Sequence, residues 1–311
     1  ILTEISRACA SSALLLIAQA DGTLPIMEGG SQALKEKYLT RLAGSSPLIT
    51  ALAATEPGAG SDLLAMRTKA VRQGDRYVIN GQKCFITNGS AADFFVLYAY
   101  TDTEKKSKGL SALVVEKGFP GLSYGKNENK MGMRGSQTAE MIFEDVKVTK
   151  EYMCGGVGKG LKLAFEGLDL VRCGLGGVSC GLAQAALDQA IQYMKTRHQF
   201  GKPIAQFQAL QFMVANMAMN IEAARALTYQ TASLYDSGYH GIDLITKASM
   251  AKCFASDLCM RVTTDVVQIF GGYGYMKDYP VERMMRDAKL LSIVEGTSQI
   301  HHHIIARNLF S

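Results

Sequence analysis

The chain changes texture twice, and this double change restricts its fold more than any single motif. Ile1 to about Ala43 carries apolar residues at helical period, with one helix expected over Ile1–Ala20 and, past Gly29-Gly30, a second short one through Lys35, Lys37 and Leu42. From Ser46 to about Val148 the apolar residues fall instead in short β-rich runs: Tyr77–Ile79, Cys84–Thr87, Phe94–Tyr100, Leu110–Val115 and Ala139–Val148. Asn80-Gly81 between the first two reads as a type I′ hairpin turn. Past Gly158 long helical patterns return over Leu161–Leu170, Val178–Arg197, Gln208–Asp236, Leu244–Phe270 and Val281–Leu309. The pattern predicts an α+β multidomain protein. Its parts are a helical domain over 1–45, a middle antiparallel β-barrel or sandwich over 46–150, and a helical bundle over 151–311. The chain opens inside a helix without an initiator methionine, so the first domain is expected to be truncated and to belong to a longer protein.

With 311 residues, 48% of them hydrophobic, such a chain can bury a large core. Its longest early apolar run, Ala13–Ala18 with its neighbours, falls short of the ~20 residues that span a bilayer, and no basic segment precedes it, so a soluble protein without a targeting signal is expected. Seven cysteines include no Cys-x-x-Cys pair and are odd in number, which suits free thiols in a reducing compartment. The net charge of +5 is spread along the chain without basic runs interleaved with aromatics, which argues against nucleic acid but leaves room for an anionic cofactor. Consecutive helical residues project about 100° apart, so His301-His302-His303 cannot converge on one ion, and no metal is expected.

Several short stretches carry chemistry. Ile293–Ile300 sets one carboxylate, Glu295, on an apolar approach; a carboxylate kept from full hydration has the raised basicity that deprotonating carbon beside a carbonyl requires. The same residues also read as a helix start capped by Thr297 or Ser298. Thr55–Asp62 packs two glycines, a proline and four oxygen-bearing side chains into a turn whose N–H groups can approach an oxygen-rich ligand, or into a plain tight turn. Phe85–Gly89 ends a strand with a ring that suits stacking on a flat heterocycle, or with an ordinary core phenylalanine. Arg197–Ile204 with Phe207-Gln208 forms a cationic corner between helices that can grip a pyrophosphate. Gln268–Tyr275 ends a helix in glycines, either as a C-cap or as bare backbone for a ligand.

Taken in order, these stretches, with Lys130–Ser136, Phe143–Val146 and Arg286–Lys289, resemble the acyl-CoA dehydrogenase family of flavoproteins over essentially the whole chain. The resemblance is to short- and medium-chain members and implies an N-terminal helical domain, a middle β-domain and a C-terminal four-helix bundle, assembled as a homotetramer that holds FAD between β-domain and bundle. It implies flavin contacts from Leu52, Ala54, Thr55, Ser61, Phe85 and Thr87 on one side and from Thr297 and Gln299 on the other. Arg197, His198, Gln199, Phe200, Phe207, Gln208, Gln268, Gly271 and Gly272 would hold the rest of FAD, partly in a neighbouring subunit, and Ser61, Asp169, Arg172 and Gly296 would touch the CoA thioester. Phe85 replaces a tryptophan common at its position; phenylalanine still packs on a ring system but lacks the indole donor. Val171 stands where some relatives carry their glutamate, which leaves Glu295 as the matching base.

The implied reaction, of the β-oxidation type, is α,β-dehydrogenation of an acyl-CoA to a 2-enoyl-CoA. Glu295 takes the α proton, the β hydride passes to the flavin, and the thioester oxygen is held by the Glu295 N–H and a ribityl hydroxyl. Electrons would go on to an electron-transferring flavoprotein. The alternatives are an oxidase and a non-catalytic acyl-CoA-binding flavoprotein subunit, and cytoplasm and mitochondrial matrix both stay open. Asp21 falls where the family resemblance places an apolar residue of the acyl cavity. It reads either as a solvated turn residue before Gly22 or as a second base that disfavours a long alkyl chain. The second reading resembles the branch acting on alicyclic thioesters such as cyclohex-1-ene-carboxyl-CoA by 1,4-elimination, although that branch is expected to lack the glutamate retained here as Glu295.

Overall fold

Cys9 interrupts what reads in sequence as one helix from Ile1 to Ala20. In a computed structural model that describes residues 1–310, helix α1 (Leu2–Ala8) ends where Cys9 turns extended at φ −155° and ψ 108°. Helix α2 (Ala10–Gly29) then continues through Asp21, Gly22 and Pro25. Asp21 is therefore half-buried in a helix and not in a solvated turn. Gly22 shows why the helix does not stop there: a Cβ at this position would run into Thr50 Oγ1 and lie 2.7 Å from the Ala51 carbonyl oxygen, so the glycine lets α2 rest on strand backbone. Helix α3 (Gln32–Leu42) follows, with the Ser31 side chain capping its first turn by accepting from the Leu34 N–H at 3.3 Å.

Strands β1 (Thr50–Ala53), β2 (Lys69–Gln73), β3 (Arg76–Thr87), β4 (Phe94–Tyr100), β5 (Leu110–Glu116), β6 (Leu122–Asn127), β7 (Thr138–Thr149) and β8 (Met153–Cys154) build one sheet in the order β6-β7-β3-β2-β4-β5-β8, with β1 also on β4. Pairings are antiparallel except that β1 and β2 run parallel to β4. All seven residues of β4 are buried, which explains its uninterrupted apolar run. Phe95, Leu97 and Ala99 face the core shared with β3 and β7; Phe94, Val96, Tyr98 and Tyr100 face Ile26, Leu34 and Tyr38 of α2 and α3. Asn80-Gly81 is not the expected hairpin turn. β3 runs straight through it, and the turn lies at Gly74, φ +63°. Gly81 sits at a register shift opposite β7, where a Cβ would come 2.7 Å from Thr68 Cα; close backbone approach, not a turn, is what requires glycine there.

Helix α4 (Gly160–Thr196) joins the two helices expected over Leu161–Leu170 and Val178–Arg197. Glycines along it are contact points: a Cβ on Gly181 would strike the Thr3 carbonyl, and one on Gly176 would lie 2.8 Å from Thr228 Oγ1. A small hairpin, β9 (His198–Gln199) with β10 (Lys202–Pro203), turns the chain into α5 (Gln208–Asp236), followed by α6 (Ile242–Phe270). The run expected as one helix over Val281–Leu309 is two, α7 (Val281–Leu291) and α8 (Ser298–Leu309), separated where Glu295 and Gly296 adopt φ +54° and +94°.

These elements divide into two compact units. One, Leu15–Asn129 with Ser136–Leu168, contains the sheet; the other, Ile1–Leu14, Lys130–Gly135 and Asp169 onward, contains the bundle. In the latter, Ser6 Oγ donates to the Val178 carbonyl (2.7 Å) and Asp287 Oδ1 accepts from the Met133 N–H (2.5 Å). Contrary to the sequence expectation, α2 and α4 are long and apolar enough to cross a bilayer, yet 56% and 83% of their most apolar windows are buried in the fold, so core packing accounts for much of that composition. All seven cysteines are free thiols.

Candidate active site

In the sheet unit, a buried ion pair shapes the Thr55–Asp62 turn. Glu56 and Ala59 exchange two backbone bonds (2.9 and 3.1 Å), while the Glu56 carboxylate accepts from the Arg67 N–H (2.6 Å), the Thr68 N–H (3.0 Å) and Lys83 Nζ (2.8 Å). Burial works to raise the Glu56 pKa, but the bonds from Lys83, Thr68 and Arg67 outweigh it and hold it below the ordinary value. Lys83 is wholly buried, and burial pushes its pKa down to about 8. It also donates to the Ala54 carbonyl (2.8 Å), and Cys84 N–H donates to the Thr55 carbonyl (2.9 Å), so the turn is tied to β3. Immediately beyond, a register shift against β7 puts Phe85 at φ +57° and leaves its ring 65% exposed. The ring stands outside the core, so Phe85 is not the ordinary core phenylalanine that its sequence also allowed. Leu52, Ala54, Thr55 and Thr87 are half-buried, Ser61 is exposed, and a Cβ on Gly58 or Gly60 would meet nothing within 4 Å.

In the bundle unit, burial concentrates charge around Glu295. Its pKa is raised by burial, against the pull of Arg172 and Lys252. Arg172 is 5% exposed and lies 3.4 Å from Asp169, itself 9% exposed; burial raises the Asp169 pKa while Arg172 opposes the shift. Lys252 is wholly buried, its Nζ donates to the Gly296 carbonyl at 2.6 Å, and burial brings its pKa down to about 8. His301, also wholly buried, places Nε2 3.2 Å from the Glu295 carbonyl oxygen. Burial first, then Lys252 and Arg172, lowers its pKa to about 3, so the ring is neutral and Nε2 carries the proton that faces the carbonyl. Both peptide oxygens of the Glu295-Gly296 step are thus held. The Glu295 N–H has no acceptor among the described residues. Thr297 caps α8, its Oγ1 accepting from the Ile300 N–H at 3.3 Å, and Gln299 is exposed. Lys252 and His301 were not expected beside Glu295; the available signal was a lone lysine inside the largely buried, apolar run Ala248–Ala255 of α6.

A cleft of about 590 Å³ in the same unit gathers Arg197, Gln199, Phe200, Phe207, Gln268, Gly271 and Gly272. Phe200 and Gly201 form the two-residue turn of the β9–β10 hairpin at φ +52° and +77°, which exposes 92% of the Phe200 ring. Arg197 lies over the Tyr273 ring at 5.3 Å. Gly271 (φ +60°) and Gly272 leave open the space their Cβ atoms would fill, so backbone can meet a ligand there. His198 and Gln208 are exposed and do not line the cleft; His198 Nδ1 turns to the Thr196 carbonyl at 3.1 Å.

Residues 51–146 match the model of the acyl-CoA dehydrogenase middle domain, and 158–310 that of the acyl-CoA dehydrogenase C-terminal domain. The chain belongs to the acyl-CoA dehydrogenase family. It is similar to the cyclohex-1-ene-1-carbonyl-CoA dehydrogenases of Geobacter metallireducens (59% identity, 99% of this chain and 81% of the relative) and Syntrophus aciditrophicus (54%, 99% and 74%). A solved structure described as the electron-transferring flavoprotein of Acidaminococcus fermentans superposes with TM-score 0.96 at 47% identity, over 99% of this chain and 80% of that one. As a member of this family the chain is an FAD-dependent acyl-CoA dehydrogenase, an oxidoreductase acting on CH–CH bonds of an acyl-CoA. Its residues fit FAD: the cleft offers a guanidinium, amides, an aromatic ring and bare glycine backbone, the donor set that a dinucleotide demands.

Proposed function

We propose that this acyl-CoA dehydrogenase acts on an alicyclic thioester of the cyclohex-1-ene-1-carbonyl-CoA type. The observation that carries the reading is Asp21, a carboxylate half-buried within the apolar helix α2, in a chain 59% identical to a cyclohex-1-ene-1-carbonyl-CoA dehydrogenase. The carbon next to the thioester in a cyclohex-1-ene-1-carbonyl group bears no hydrogen, so the proton must leave a ring carbon farther along. A single carboxylate placed for α-proton removal does not serve that reaction, and Asp21 is the second. Glu295 is the base for acyl groups that do carry an α hydrogen, cyclohexane-carbonyl and straight chains among them. The Glu295 N–H is the donor for the thioester oxygen, and Lys252 and His301 hold the peptide around it. FAD, when bound, accepts the hydride. Arg197, Gln199, Phe200, Phe207, Gln268, Gly271 and Gly272 hold the dinucleotide, with Leu52, Ala54, Thr55, Ser61, Phe85, Thr87, Thr297 and Gln299 against its flavin end; Ser61, Asp169, Arg172 and Gly296 meet the thioester. Assembly as a homotetramer and delivery of electrons to an electron-transferring flavoprotein complete the reading.

Anaerobic titration of the yellow protein with cyclohex-1-ene-1-carbonyl-CoA, cyclohexane-carbonyl-CoA and butyryl-CoA tests it. Cyclohex-1-ene-1-carbonyl-CoA is expected to bleach the flavin, and Asp21→Asn to slow that bleaching by ~100-fold or more, the scale of losing a general base. Asp21→Asn should leave butyryl-CoA oxidation within a few fold. Bleaching by butyryl-CoA alone would establish ordinary straight-chain dehydrogenation, and no bleaching by any ester would establish a silent acyl-CoA-binding subunit.

A further inference from the structure

Away from Glu295, helices α6 and α8 bring three chemically different ligand groups together. Cys253 Sγ lies 3.5 Å from His302 Nε2 and 3.8 Å from Asp257 Oδ2, and the three ligand atoms all lie within 4.8 Å of one another. A zinc ion about 2.3 Å from sulfur and about 2.0 Å from nitrogen and oxygen at tetrahedral angles holds its donor atoms about 3.5 Å apart. The two distances from sulfur, 3.5 and 3.8 Å, are close to that. The carboxylate is oriented as well: Ser298 Oγ donates to Asp257 Oδ1 at 2.7 Å, which turns Oδ2 toward the thiol. All three ligands line a cavity of about 700 Å³ that leaves a fourth position open to water. We propose that Cys253, Asp257 and His302 form a three-ligand site for a divalent d-block cation, zinc by the softness of its donor set.

Three consecutive histidines cannot share an ion, but one of them can join a cysteine and an aspartate four residues apart on a neighbouring helix. Arg261 and Lys289 line the same cavity and oppose a dication, so one is held only if its ligands bring two negative charges, which the thiolate and carboxylate supply. The Cys253 S–H bond breaks as the metal–sulfur bond forms, and its proton goes to solvent. The site ties α6 to Ser298 in the first turn of α8, directly after the Glu295 segment.

The FAD-loaded protein, dialysed against a chelator, is titrated with Zn²⁺ or Co²⁺ alone. One ion per chain should survive desalting, Co²⁺ should show tetrahedral d–d bands to the red of the flavin absorption with thiolate charge transfer, and Zn²⁺ should raise Tm. Cys253→Ser and His302→Gln should each weaken retention by at least ~10-fold and remove the Tm shift. An octahedral cobalt spectrum without thiolate character, or retention by His302→Gln equal to that of the unaltered protein, overturns the proposal. His302 is exposed, so its variant decides the matter even if Cys253→Ser does not fold.

Discussion

Glu295 shows how one residue's backbone and side chain serve the same end. Its left-handed φ of +54° is a conformation that costs a non-glycine residue roughly 1–3 kcal/mol and persists only where the surroundings over-determine it. Here the surroundings are Lys252 Nζ on the Gly296 carbonyl and His301 Nε2 on the Glu295 carbonyl. With its pKa raised by burial, Glu295 is a stronger base than a solvated glutamate, and flavin reduction by substrates with an α hydrogen should rise as pH climbs through that raised pKa. Glu295→Gln should keep FAD and acyl-CoA bound while slowing reduction by ~100-fold or more in rapid-mixing absorbance. Near-normal bleaching would remove Glu295 from the mechanism. Lys252 permits a finer test. Holding its charge in the fold, with a pKa of about 8 against 10.5, costs about 3 kcal/mol at neutral pH, comparable to the roughly 1–3 kcal/mol lost by orphaning the Gly296 carbonyl. Lys252→Met should therefore leave Tm nearly unchanged. Reduction should nevertheless fall about 10-fold and its pH profile move upward, because a positive charge that lowers the Glu295 pKa is gone; an unmoved profile would make Lys252 merely structural.

At the scale of elements, the sequence declared most of what the fold became, and its failures share a cause. Strand β4 and helix α5 fall where period and length place them, because burial on both faces or along one stripe dictates their patterns. Gly22 and Gly81 each suggested a turn, and each instead marks backbone or side chain of another element within contact distance. Such contacts are non-local, so a window of neighbours does not contain them. The site divides in the same way. Glu295 and the Arg197 corner announce themselves by local composition, whereas Lys252, 43 positions before Glu295, and the Lys83–Glu56 pair become visible only after folding. His301 gives the α8 segment a measurable signature. Its folded pKa of about 3 lies below the ordinary 6.5, so between those values the unfolded chain binds a proton that the folded chain refuses. The stability that His301 contributes is complete above pH 6.5 and lost as pH falls toward 3, at up to about 1.4 kcal/mol per pH unit. Denaturant titrations of His301→Gln across that window should give a flatter dependence than the unaltered chain; parallel curves would place the imidazole in water.

For the whole molecule, the cofactor is a test of the proposed site. The cleft around Arg197, Gln268 and Gly271 presents open backbone, exposed rings and a cation, the features expected of a ligand surface. Binding to the folded chain alone stabilises it by about 2.7 kcal/mol when free FAD is at one hundred times its Kd. Arg197 is the charged member of the cleft; one charge-assisted bond to a phosphate is worth roughly 1.5–3 kcal/mol, so Arg197→Ala should weaken FAD retention by about 10- to 100-fold. The guanidinium also lies over Tyr273 at 5.3 Å, an exposed contact worth only about 0.5–1 kcal/mol without the cofactor. The two contributions predict different stability curves. Stripped of FAD, Arg197→Ala and the unaltered protein should unfold within a few degrees of each other. With FAD added in equal excess, only the unaltered protein should gain its full increment, and the gap should close as FAD is raised toward saturation of the variant. A gap that persists unchanged in the apo proteins and at every FAD concentration would place Arg197 in the scaffold and not on the dinucleotide.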